Sequence, residues 1–180
     1  MTTLRTYESC VLVIDMQVGL LPAIADHANV LGRARRFAQA AQCLDVPVLG
    51  TEHWPEKIGP TEATMRDRID RLIAKTHFDA TRESGFQDFM PGGRHKVLLI
   101  GTEAHVCVLQ TGLGLASMGY SPVMVTDAIG SRHETDRAAA LARWKARGLE
   151  AVTIEMALFE WLESPAHPAF RDVLELIKTL

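Results

Sequence analysis

Asp15, Lys75 and Cys107 are the side chains of this 180-residue sequence with the types that thiol chemistry needs. A free thiol has a pKa near 8.5 and is mostly protonated at neutral pH; a nearby cation or helix N-terminus lowers that value. A carboxylate within reach can take the thiol proton, and an ammonium keeps both the carboxylate and the nascent thiolate electrostatically tolerable. Each residue alone also has an ordinary reading. An aspartate after a strand is a turn or cap residue, a lysine is a solvated charge, and a cysteine is a small buried hydrophobe. The ordinary reading is kept for Cys10 and Cys43. Three cysteines with no C-x-x-C pair leave one over, which excludes the disulfide framework of a secreted domain.

The elements that must position these residues are legible as periodic segments. Short apolar runs at Cys10–Ile14, Val46–Gly50, Arg71–Ala74, Lys96–Ile100, Pro122–Thr126 and Ala151–Ile154 predict six strands. Lys96–Ile100 is continuous and apolar, as a parallel strand buried on both faces must be. Helical spacing predicts helices over Asn29–Cys43, Ser84–Met90, His105–Met118, Glu134–Arg147, Met156–Leu162 and Ala169–Lys178. Glu52–Thr64, with two prolines and a glycine, reads as a loop with functional potential. Alternating strands and helices predict an α/β fold: three-layer α/β/α, Rossmann-like, with a mostly parallel six-stranded sheet and right-handed crossovers, one domain over residues 1–180. Such sheets bind ligands at the carboxyl ends of their strands, near the point where strand order reverses. Asp15 ends the first strand, Lys75 the third, and Cys107 follows the fourth at a helix start. Gly112-x-Gly114 falls inside a helix and is no dinucleotide fingerprint.

Composition narrows the partners. Hydrophobic residues make up 47% and charged residues 23%, and 19 basic against 22 acidic residues give a net charge of -3. Nucleic acid and anionic membranes are therefore not expected as partners. The apolar runs Val11–Ile14 and Val97–Ile100 fall far short of the roughly 18 residues of a membrane span. Asp15 arrives before a signal core could form, so a cytoplasmic location is expected.

Three segments together resemble a known family: VLVIDMQ with Asp15 and Gln17, KTHFDA with Lys75 and Phe78, and LLIGTEAHVCVLQT with Cys107. In that order and at those separations they resemble the isochorismatase-like cysteine hydrolase superfamily, which includes nicotinamidases and carbamoyl-amide hydrolases. TEHWPEKIGPT, SRHETDR and HPAF look like its isochorismatase-domain-containing subgroup. The resemblance implies that Cys107 is the nucleophile, Asp15 the general base and Lys75 the charge-stabilising partner. It places the chain in the thiol-dependent branch, a hydrolase of small amide-type C–N bonds acting through a thioester. It also implies a cis peptide at Thr102–Glu103, turning the Glu103 N–H to form an oxyanion hole with that of Cys107.

One departure matters. Nicotinamidases carry an Asp-x-His pattern with further histidines for a metal, whereas here His53 has no aspartate beside it, so no metal and no cofactor are expected. Gln17, His53, Trp54 and Phe78 are expected to wall a pocket for a small-molecule substrate, planar and neutral or weakly polar. No arginine lies close in sequence to the three motifs, so a strongly anionic substrate is not expected. Activation by Asp15 and Lys75 would let limiting iodoacetamide mark Cys107 before Cys10 or Cys43. A homo-oligomer is expected. Two other readings stay open: a non-catalytic binding or interaction protein that keeps the fold, and a thiol redox protein using Cys107, although no resolving cysteine lies nearby in sequence.

Overall fold

Strand β1 (Ser9–Ile14) is buried along its whole length, which is why SCVLVI carries no polar face. In the computed structural model, which describes residues 3–179, it runs between β2 (Val48–His53) and β4 (Lys96–Gly101). β3 (Arg71–Lys75) flanks β2, while β5 (Ser121–Ile129) and β6 (Glu150–Val152) extend the other side. The order is β3-β2-β1-β4-β5-β6 and every pairing is parallel. The two-residue alternation of a strand splits β1 between two cores: Val11 and Val13 face one, Cys10, Leu12 and Ile14 the other.

Helices cover both faces. α1 (His27–Cys43) is followed by three short helices, α2 (Pro55–Ile58), α3 (Ala63–Arg66) and α4 (Phe86–Phe89). A π-helical turn at Ala104–Val108 leads into α5 (Leu109–Ser117), and α6 (Glu134–Ala146), α7 (Ile154–Leu162) and α8 (Phe170–Ile177) follow. α1, α7 and α8 close the first core, where Phe37 and Trp161 stack with centroids 5.4 Å apart. α4, α5 and α6 close the second, around the fully buried Trp144. The three-layer α/β/α arrangement predicted from the alternation of elements is the one observed. No helix among the described residues is long and apolar enough to cross a membrane.

Several boundaries move for physical reasons. β2 starts at Val48 rather than Val46, because Pro47 has no N–H to donate and the Val46 N–H is taken by the Ala41 carbonyl. It runs on through Glu52 and His53, two residues assigned to the following loop, because they pair with Ala74 and Lys75 of β3. Glu52 tolerates burial because its carboxylate accepts from the Thr61 N–H at 2.6 Å and hydroxyl at 2.7 Å. β6 stops at Val152 and not Ile154: the Thr153 hydroxyl caps α7 by accepting from Met156, and the Ile154 N–H goes to Asp127. Strand order reverses between β1 and β4, which opens a crevice at their carboxyl ends.

Candidate active site

Asp15 is the first residue past β1 and takes a left-handed conformation, φ 51°. Its side chain is fully buried, and each of its polar atoms is placed by a neighbouring strand. Oδ1 accepts from the Thr51 hydroxyl of β2 at 2.6 Å, and the Thr102 hydroxyl donates to the Asp15 carbonyl at 2.6 Å. Lys75, the last residue of β3, brings Nζ to 2.7 Å from Oδ2, with both side chains wholly out of solvent. Two buried charges this close sustain each other, since either alone would carry an uncompensated desolvation cost. Nζ also donates to the carbonyls of His77 at 3.2 Å and Phe78 at 3.5 Å. Oδ2 has the ammonium as its ion-pair partner and no other donor among the described residues. It is open to a proton.

The third residue arrives from the turn after β4. Cys107 lies in the π-helical turn, 3% exposed, within the electrostatic reach of both Asp15 and Lys75. Burial pushes the thiol pKa up, the Asp15 charge pushes it further, and the Lys75 charge only partly offsets them. The expectation of a thiol made acidic by its neighbours is thereby reversed. The same burial works against the expected alkylation order, since Cys43 is exposed and Cys107 is not.

Backbone conformation between β4 and Cys107 also differs from expectation. No peptide among the described residues is cis, so the Thr102–Glu103 bond is trans. The chain turns instead through left-handed Glu103, φ 54° and ψ 58°, a conformation that costs a non-glycine residue about 1 kcal/mol or more. An ion pair from Arg132 to the Glu103 carboxylate at 2.9 Å and the Ala104 N–H bond to Gly130 hold it there. Among the described residues the Glu103 N–H has no hydrogen-bond partner. Just before it, Gly101 at φ 138° lies so close to β1 that a Cβ would collide with the Ile14 carbonyl. Only glycine fits there.

The four expected pocket walls separate into two kinds. The His53 ring packs on Phe78 with centroids 5.2 Å apart, and Phe78 is half exposed. Burial, followed by the Lys75 charge, lowers the His53 pKa and keeps the imidazole neutral. Trp54, also exposed, lines a small cavity of about 110 Å³ with Lys75 and Glu83. Gln17 is no wall. It is fully buried, and its amide is consumed by the backbone: Oε1 accepts from the His53 N–H at 2.7 Å, and Nε2 donates to His53 at 3.0 Å and Gly59 at 2.7 Å. Gln17 therefore fixes the end of β2 that presents His53 and Trp54. Arg82, from the loop after Lys75, shares a cavity of about 310 Å³ with Phe78. No group of three His, Cys, Asp or Glu residues among the described residues is disposed to hold a metal.

Thr51, Thr102 and Glu83 went unidentified in the sequence. The Glu83 carboxylate accepts from the N–H groups of Thr76 at 2.7 Å and His77 at 2.9 Å, and pairs with the His77 imidazole at 2.8 Å. It thus folds the very turn whose carbonyls hold Lys75. A capping carboxylate eight residues after the lysine was the available signal.

Comparison with known proteins gives the family and the fold. The isochorismatase domain profile matches residues 9–156. Isochorismatase domain-containing protein 2A of Mus musculus is 34% identical over 174 residues, covering 95% of this chain and 84% of that protein. Isochorismatase domain-containing protein 2 of Danio rerio is 33% identical over 97% of this chain and 89% of its own. Among solved structures, the MAR1 ribonuclease of Caenorhabditis elegans superposes with a TM-score of 0.92 at 29% identity, over 98% of this chain and 93% of that one.

Proposed function

The chain belongs to the isochorismatase family, and from that premise we propose that it is a hydrolase whose Cys107 opens the C–N bond of a small amide-type substrate through a thioester. The observation that carries this reading is the buried Asp15–Lys75 pair, 2.7 Å apart, with the buried Cys107 thiol under the charge of both.

The raised thiol pKa dictates the order of events. A resting thiolate is unfavourable, so the proton passes from Sγ to Asp15 Oδ2 as sulfur attacks the substrate carbonyl. Lys75 remains beside the carboxyl throughout and offsets the negative charge passed between sulfur and oxygen. The tetrahedral oxyanion accepts from the Glu103 and Cys107 N–H groups, the first of which has no other partner among the described residues. Asp15 then returns its proton to the leaving nitrogen, the C–N bond breaks and ammonia departs. Water adds to the thioester, giving one proton back through Asp15 to sulfur, and the carboxylic acid leaves. His53, Trp54 and Phe78 wall the substrate; Gln17 holds two of them in place.

A redox role for Cys107 is disfavoured by topology. Cys10 lies four residues below the carboxyl end of β1, about 13 Å away along the strand, and a disulfide needs its Cα atoms within about 7 Å. Cys43 ends α1 and points its exposed thiol elsewhere on the surface. The ribonuclease name of the nematode relative is not carried over, because a net charge of -3 gives a polyanion no electrostatic footing. Homo-oligomeric assembly and cytoplasmic residence belong to the same proposal; exposed Val18, Trp54 and Phe78 support the first, and three free cysteines the second.

A panel of small amides, ureides and carbamoyl compounds, scored for ammonia release with chelator present, tests the reading. Activity should survive the chelator and be lost in Cys107→Ala, whose melting curve should stay near that of the parent. Ammonia release at the parental rate by Cys107→Ala rejects the nucleophile. Loss of parental activity with chelator would assign His53 to a metal after all.

A further inference from the structure

Along the turn that holds Lys75 runs a groove whose charge the mechanism does not use. It is a cavity of about 310 Å³, within the range of small-molecule sites, lined by Thr76, His77, Phe78, Asp79, Arg82 and Gln110. One wall is the turn whose carbonyls hold Lys75 Nζ, and the other is the first turn of α5. Gln110 sits three residues after Cys107 and is exposed at the start of α5. The two walls are tied together: the Thr111 hydroxyl accepts from the Ala80 N–H at 3.1 Å and donates to the Phe78 carbonyl at 3.3 Å. Gly114 continues this close fit, since a Cβ there would run into the Thr81 and Asp79 side chains.

The charges in this groove are unequal. Asp79 turns its carboxylate onto its own turn, accepting from the Thr81 N–H at 3.0 Å and hydroxyl at 2.7 Å. His77 is paired with Glu83. Arg82 is exposed and, among the described residues, makes no ion pair and no side-chain hydrogen bond. An unpaired guanidinium beside a neutral amide and an aromatic edge is suited to a carboxylate, which it can grip through two parallel N–H bonds.

We infer that this groove is a substrate subsite in which Arg82, assisted by the Gln110 amide, binds a carboxylate on the far side of the scissile bond from the leaving nitrogen. The inference rests on Cys107 being the nucleophile and deepens it: the substrate class becomes a short amide bearing a carboxylate, with Phe78 dividing the reacting end from the anionic end.

Two alkylating reagents of equal size test the subsite without a known substrate: N-(iodoacetyl)glycine, which carries a carboxylate, and its neutral counterpart N-(iodoacetyl)glycinamide. With either, sulfur displaces iodide, so an S–C bond forms, the C–I bond breaks and the thiol proton leaves to Asp15 or water. Rates at Cys107 and at exposed Cys43 are read separately by peptide mass, Cys43 serving as the reference within the same chain. The anionic-to-neutral ratio at Cys107 should exceed that at Cys43 by about three- to fivefold, the size of a solvent-accessible ion pair. Arg82→Gln should bring the ratio to that of Cys43, Arg82→Lys should keep most of it, and added salt should compress it. An equal ratio at the two cysteines of the parent, or a ratio unchanged in Arg82→Gln, overturns the subsite. Inertness of Cys107 to both reagents in the parent and also in Asp15→Asn, which lacks the charge that raises the thiol pKa, instead overturns the nucleophile, and the subsite with it.

Discussion

Asp15 and Lys75 pull the Cys107 thiol in opposite directions, so replacing them one at a time separates acidity from catalysis. Asp15→Asn removes a charge that raises the thiol pKa, so iodoacetamide should label Cys107 faster than in the parent near pH 8.5. Turnover in the same variant should fall by about a hundredfold or more, because the proton acceptor is gone. Lys75→Met removes the cation that favours thiolate, so labelling should slow. Peptide-resolved alkylation rates check both signs, and unchanged rates in both variants would show that burial alone governs the thiol. At this scale the sequence displayed identities but not signs. Spacing along the chain placed a thiol, a carboxylate and an ammonium at strand ends, yet pKa depends on how much water is excluded, and no local pattern encodes that. Gln17 was misplaced for the same reason: an amide beside a motif looks like a ligand until its partners, His53 and Gly59, are seen to be backbone.

Turns between elements decide where these side chains point, and the turn after β3 shows how. Burial opposes ionisation of Glu83, yet hydrogen bonds from His77 and Thr76 outweigh it and push its pKa down to about 2. A carboxylate depressed below its ordinary 4.5 contributes stability that is present above that value and is lost as pH falls toward about 2. Glu83→Gln should therefore flatten part of the acid-side fall in Tm while lowering Tm at neutral pH. Because the same turn supplies the carbonyls that hold Lys75, kcat at neutral pH should drop by about tenfold with KM little changed, as small misplacements of catalytic groups do. Parental kcat together with a parental acid profile would remove Glu83 from any positioning role. Strand ends were legible because apolar runs stop at them, whereas this capping was not, since it joins residues across a turn with no period. The Glu52–His53 extension of β2 was hidden by the neighbouring prolines and glycine, which mimic a loop.

Across the whole molecule, chemistry and stability occupy different faces of one sheet. The alternation of elements made the layers and the parallel pairing readable, and the reversal of strand order then located the crevice without any knowledge of side chains. What composition could not show was which helices share a face. α8 lies beyond the matched family region of residues 9–156, yet it packs on α1 and buries Val173 completely in the first core. Cys107 and its π-helical turn belong to the second core, across the sheet. Trimming a buried branched side chain there leaves a cavity that close-packed neighbours fill only in part. Val173→Ala should thus destabilise the fold by about 2 kcal/mol, a cost typical of such truncations. For a chain of this size that lowers Tm by roughly 4–8 °C. The carboxyl ends of β1, β3 and β4 are untouched by the change, so below the melting range kcat and the rate of Cys107 alkylation should match the parent. Differential scanning calorimetry beside the alkylation assay decides the matter. If the alkylation rate falls along with Tm, the two cores are not energetically separate, and the site depends on the helical layer behind the sheet as much as on the strands that carry it.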